Sequence, residues 1–201
     1  MGITIHYRGR FNPAANLSEM IDEIEDIART QGWEYFIFER EFPVALNRDT
    51  MTQSPLITDT DNIYGISFTP PHCEAVQFTF LSNGRMSNPL NFQLYSHSTD
   101  PQEQEFLYML FTKTQFAGVK THMVIVALLR YLSNKYLSEF IVNDEGEYWE
   151  TGDKSLLESN FKKIENYIDL VQNSFEAFPI GEEESIEQYV DRLMGYIFKN
   201  K

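Results

Sequence analysis

The sequence predicts an α+β protein: a mostly antiparallel sheet packed against one central helix, followed by two amphipathic helices. Three observations predict it. Residues 3–8 alternate apolar and polar as a strand does, the next segments read helix, strand and then several short strands broken by turn residues, and the last quarter carries two apolar stripes at helical spacing.

In ITIHYR, Ile3, Ile5 and Tyr7 fall on one face and Thr4, His6 and Arg8 on the other, the pattern of a half-buried strand. From Leu17 to Ala28, Leu17, Met20, Ile21, Ile24, Ile27 and Ala28 share a helical face opposite Glu19, Asp22, Glu23, Glu25 and Asp26. Asn16, with Glu19 three residues on, predicts the helix start, and Gly32 its stop. WEYFIFER, residues 33–40, is aromatic and suits a second strand. Residues 41–61 show no sustained period and predict a long loop, a common seat of function.

NIYGISFTP and AVQFTFL predict two further strands. Asn83-Gly84 predicts a type I′ hairpin, since both residues tolerate positive φ, returning through MSNPLNFQLYS as an edge strand marked by Pro89. FLYMLFTKTQ, residues 106–115, extends the meander by one strand. Between Val119 and Tyr136 apolar residues point in nearly every direction, which predicts a central helix covered on most sides. Leu157, Phe161, Ile164, Ile168 and Val171, then Ile186, Val190, Leu193 and Ile197, mark the two closing helices. The chain thus divides into an α+β part, residues 1–153, and helices over residues 154–201 that pack on it as one globular unit.

Thirty Asp and Glu against 16 Lys and Arg give a formal charge of −14. Such a field repels phosphate backbones and anionic headgroups, so a basic protein is the expected partner, and nucleic acid and membrane are not. No apolar run approaches the roughly 20 residues of a membrane span, and MGITIHYRGR lacks a secretion signal's apolar core. Cys73, the single cysteine, suits a reducing compartment, so the cytoplasm is expected. One Cys and four scattered His have no zinc spacing, and Asp144, Gly146 and Glu150 do not reproduce a calcium loop. No glycine-rich phosphate loop or nucleophile elbow occurs either, so no cofactor or zinc or calcium site is expected, and a Mg²⁺ site built from two or three carboxylates is the one metal alternative left open.

The densest cluster of chemistry-bearing residues is NDEGEYWETGD, residues 143–153. As a hairpin, FIVND rises, Glu145-Gly146 turns, EYWE returns as a strand, and Thr151-Gly152-Asp153 caps the next helix, which leaves Glu147 and Glu150 without structural duty. His122 lies in the first turns of the central helix, close to the end of the strand that holds Gln115. If the acidic hairpin packs there, a His-carboxylate pair forms a base, with His122, Glu147 and Glu150 as catalytic candidates and Gln115, Glu145 and Trp149 as binding candidates. The competing assignment is a buried, hydrogen-bonded histidine and a solvated acidic turn.

Through GITIHYRG, KTQFAGVKTH and DEGEYWETGD, the first 155 residues or so resemble a set of bacterial conserved hypothetical proteins. The resemblance implies a bacterial cytoplasmic protein and supplies no catalytic residue, since that family has no settled activity. Two functions follow as expectations. The first is a non-catalytic protein-binding module, immunity-like or regulatory, whose acidic surface meets a basic target. The second is a small hydrolase or metal-dependent enzyme built on His122 and the acidic hairpin.

Overall fold

A computed structural model describes residues 2–43, 62–181 and 184–199. The fold is α+β. Strands β1 (Thr4–Phe11), β2 (Glu34–Ile37), β3 (Tyr64–Thr69), β4 (Val76–Phe80), β5 (Leu110–Lys113) and β6 (Leu137–Asp144) form two antiparallel sheets, ordered β5-β1-β6 and β2-β3-β4. Helix α1 (Leu17–Gln31) follows β1, and helices α2 (Pro89–Tyr95) and α3 (Pro101–Phe106) lie between β4 and β5. Helix α4 (Gly118–Tyr136) joins β5 to β6, the single turn α5 (Tyr148–Thr151) follows β6, and α6 (Lys154–Ala177) and α7 (Ile186–Lys199) close the chain.

The start forms as its residues dictate. Asn16 caps α1 by accepting the Glu19 amide, Gly32 ends it at φ +66°, and Leu17, Met20, Ile21, Ile24 and Ala28 are buried. In β1 the alternation holds from Thr4 to Arg8, with Ile5 and Tyr7 in the core, and the register shifts between Arg10 and Phe11. Strands β3 and β4 pair as the predicted meander has them, with β2 on the other edge of β3, but the meander does not run on into the strand predicted over 106–115, because β5 pairs with β1. The predicted loop over residues 41–61 falls mostly, at 44–61, outside the described residues.

Three local expectations give way to capping and turn chemistry. The turn after β4 has only Gly84 at positive φ (+75°), with the Gly84 amide on the Leu81 carbonyl, so it is a three-residue loop rather than type I′. MSNPLNFQLYS does not return as a strand, because Asn88 accepts the Asn91 amide and Pro89 opens α2. Asp100 and Pro101 start α3 in the same manner, which shortens the predicted strand over 106–115 to Leu110–Lys113.

The turn also joins the two sheets. β6 occupies one edge of β1, and β5 holds the other edge only from Thr4 to Tyr7. Beyond that point Phe11 donates its amide to the Gly84 carbonyl and Met86 donates to Gly9, while Ser87 donates to Thr79 of β4. Inside this joint the Tyr7 hydroxyl accepts the Gln77 amide at 2.8 Å, and burial pushes its pKa up to about 12.

Candidate functional site

Three elements bring one polar group each to a point beneath α6. Thr114 follows β5, where its amide donates to the Ile3 carbonyl. His122 lies in the first turns of α4, and Asp144 ends β6. The Thr114 hydroxyl is 2.8 Å from His122 Nδ1, and His122 Nε2 is 3.0 Å from Asp144 Oδ2. Hydroxyl, imidazole and carboxylate therefore stand in a row.

Proton bookkeeping fixes the direction at Asp144. An ionised Asp144 only accepts, so Nε2 carries a hydrogen and donates to it. The Thr114 hydroxyl has one hydrogen and two acceptors in reach, His122 Nδ1 at 2.8 Å and the Ile3 carbonyl at 3.2 Å. Given to Nδ1, that hydrogen leaves the ring neutral; given to Ile3, it leaves Nδ1 to donate to the hydroxyl oxygen, and the ring is an imidazolium paired with Asp144.

Asp144 is the hub of the acidic stretch. Its Oδ1 accepts the Gly146 amide at 2.8 Å, and its Oδ2 accepts the amides of Tyr148 and Trp149 at 3.0 and 2.9 Å. One carboxylate thus nucleates the turn α5 as an N-cap does. Burial alone would raise its pKa, but the His122 hydrogen bond and charge and the amides of Trp149 and Gly146 hold it below the ordinary carboxylate value. Gly146 is glycine for want of space: a Cβ there would stand 2.6 Å from Leu157 Cδ1 and 3.1 Å from both Asp144 Oδ1 and His122 Cε1.

The row is sealed. The side chains of His122 and Asp144 are 0% exposed, and Thr114 is fully buried. The rings of Phe161 and Tyr148 stand edge-on to the imidazole at 5.8 and 6.4 Å, and Ile3, Leu157 and Phe161 form an apolar cluster flanked by Val119 and Met123.

Of the residues predicted for a site, the structure brings His122 and the backbone of Trp149 to this point. Both ring nitrogens of His122 are taken, and the carboxylate that takes one is Asp144 rather than Glu147 or Glu150. The predicted return strand is replaced by α5, because Glu147 adopts φ +60° and the Asp144 carboxylate gathers the amides that follow. Glu147 is exposed and accepts from Asn160 at 3.1 Å. Glu150 is exposed, with Oε1 3.4 Å from the Asp144 amide. Glu145 accepts the Thr4 amide at 3.0 Å and faces His6 at 3.5 Å. Trp149 packs its ring edge-on to Phe140, with the Arg130 guanidinium 5.0 Å away. Gln115 packs over Gly2, and its Oε1 is buried without a hydrogen-bond partner among the described residues.

Thr114 and Asp144 were missed, although Asp144 had a signal. In FIVND the period of two sets Phe140, Val142 and Asp144 on one face and Ile141 and Asn143 on the other, so Asp144 is the acid that points inward. Among the described residues no group of three His, Cys, Asp or Glu is arranged to hold a metal ion, and no helix is long and apolar enough to cross a membrane. Comparison of the chain with models of protein families, with curated proteins and with solved structures returned no match.

Proposed function

We propose that the chain is a non-catalytic protein-binding module, immunity-like or regulatory, whose contact surface is the outer face of the β5-β1-β6 sheet. One observation carries this reading. Phe111 and Ile141, on the strand faces opposite the core, are 51% and 57% exposed, and Met109, just before β5, is 43% exposed. Apolar residues grouped on an open sheet face mark a contact surface more often than scattered ones do. The buried histidine supports the same reading, since Thr114, His122 and Asp144 spend their hydrogen bonds on one another and on backbone. The formal charge of −14 favours a partner that is basic overall.

The test is a photo-crosslinking amino acid placed at Phe111 or at Ile141 in cells of the source organism, with exposed Glu158 of α6 as the control position. The expected result is an adduct with one distinct protein from the sheet positions alone. No adduct, or the same adducts from all three positions, defeats the reading.

A second reading, a small hydrolase, has the hydroxyl-imidazole-carboxylate order in its favour. It requires Leu157 and Phe161 to withdraw so that a substrate reaches Thr114. Labelling of Thr114 by a fluorophosphonate probe, lost in His122→Gln, would establish it over the first; the binding module predicts no labelling.

A further inference from the structure

The outer sheet face has more character than apolarity, and resting on the binding-module reading, its partner can be specified. Strand register sets Arg8 beside Ile141, His6 between Phe111 and Asn143, and Thr4 beside Lys113. Met109 comes one residue before β5, and Glu145, one residue after β6, meets Thr4 through its backbone and its carboxylate. Of the charges, Glu145 is engaged by His6 and by the Thr4 amide. Arg8 is exposed and, among the described residues, has no ion-pair or side-chain hydrogen-bond partner. Lys113 holds its ammonium 5.5 Å over the exposed ring of Phe116. Its amide donates to the Glu74 carboxylate at 2.9 Å, while its ammonium has no ion-pair partner among the described residues. An acidic protein thus presents two uncommitted cations beside its open apolar sheet residues.

We infer that the occupant of this face is an amphipathic helix of another protein, with an apolar stripe over Met109, Phe111 and Ile141 and carboxylates reaching Arg8 and Lys113. Size favours a helix. The outer strands of a three-stranded sheet lie about 10 Å apart, and a helix with its side chains is about 10–12 Å across. On the inner side of this sheet a helix, α4, packs against β6 and brings His122 to Asp144. From Arg8 to Thr4 along β1 is about 13 Å, or roughly nine residues of helix, which suits a transient contact.

A second copy of this chain fits less well. A stable dimer needs about 800 Å² from each partner, more than a face of about 10 by 13 Å supplies, and two copies would each bring a formal charge of −14. A partner basic overall is drawn in by the long-range field, while its docking helix carries the acidic residues that Arg8 and Lys113 select.

The experiment uses the full chain and two synthetic amphipathic helices with the same leucine stripe, one with a glutamate polar face and one with a lysine polar face. Binding is read by fluorescence anisotropy at physiological salt, and the part that belongs to the face is the difference between the natural chain and Phe111→Ser/Ile141→Ser. Both substitutions point to solvent, and unchanged circular dichroism confirms the fold.

The glutamate helix should bind in the micromolar range and lose about tenfold or more in the double variant, whereas the lysine helix shows no face-dependent part. Arg8→Glu/Lys113→Glu should reverse that preference. The proposal is overturned if the glutamate helix does not bind, if it binds both chains equally, or if the lysine helix shows the larger face-dependent part. Self-association by light scattering that the double variant abolishes would also overturn it, in favour of a second copy. Crosslinks from Phe111 to another protein together with no glutamate preference would remove the acidic helix and leave the binding module standing. Absence of crosslinks removes both.

Discussion

The two faces of the β5-β1-β6 sheet are built by alternate residues of the same strands, yet they solve opposite problems. Inward, Ile5, Tyr7, Leu110, Thr112 and Asp144 are buried, and every polar group among them is answered by a hydrogen bond. Outward, Met109, Phe111 and Ile141 are left to solvent beside uncommitted cations. A buried charge without a partner costs several kcal/mol, whereas an exposed apolar side chain costs little in the folded state. The inner face therefore reports on stability, and the outer face is free to serve a partner.

The largest effect expected from breaking this contrast is on the inner face. His122→Ala removes the ring partner of a buried carboxylate and opens a cavity beside Phe161, so urea denaturation should show a loss of about 3–5 kcal/mol. A loss under about 1 kcal/mol would mean that Asp144 is not charged inside the fold. Thr114→Val, which leaves Nδ1 without its hydrogen-bond partner, should cost less, about 1–2 kcal/mol.

Asp144 adds a pH dependence with a definite sign. Its folded pKa is lowered, so the unfolded chain binds its proton more readily. The stabilisation is fully present above the unfolded value of about 3.9 and is lost as pH falls through the folded value. Urea midpoints of the natural chain should thus drop on acidification through that range. Asp144→Asn should cost about 2–3 kcal/mol at neutral pH and flatten the drop, since its amide group meets donors where an oxygen met them. An acid slope identical in the two chains would assign the titration to other carboxylates.

Gly146→Ala comes next, with an expected loss of about 1–3 kcal/mol, because the new Cβ meets Leu157, Asp144 and His122 and something must shift. Thermal unfolding measures it. If stability is unchanged, the turn has room that the distances deny.

Much of this inner face was legible in the letters. Period two in ITIHYR sorted the core of β1, and the apolar stripe of Leu157 and Phe161 announced a helix in need of a surface. What misled was the assumption that Tyr148 and Trp149 return as a strand. Their aromatic character favours strands, but a carboxylate collecting three amides of the following turn outweighs propensity, and only a three-dimensional arrangement shows which carboxylate does so. Thr114 was unreadable for the same reason: nothing local distinguishes it from Thr112, and it becomes a partner of His122 only because α4 folds back beside β5. The open outer face was half legible, since Thr4, His6 and Arg8 were placed there, but the apolar members come from β5 and β6 and meet only through register.

The smallest expected effect sharpens the contrast from the other side. Phe111→Ser/Ile141→Ser removes two large side chains, and at an inward position such changes would cost several kcal/mol each. Outward, the side chains are about half exposed, and what they touch is limited to neighbours such as His6, whose ring centroid is 6.3 Å from that of Phe111. The double variant should therefore unfold within about 1 kcal/mol of the natural chain. A loss of 3 kcal/mol or more would mean that these residues are held by part of the chain itself, and the face would then be an internal contact rather than a surface kept for another protein.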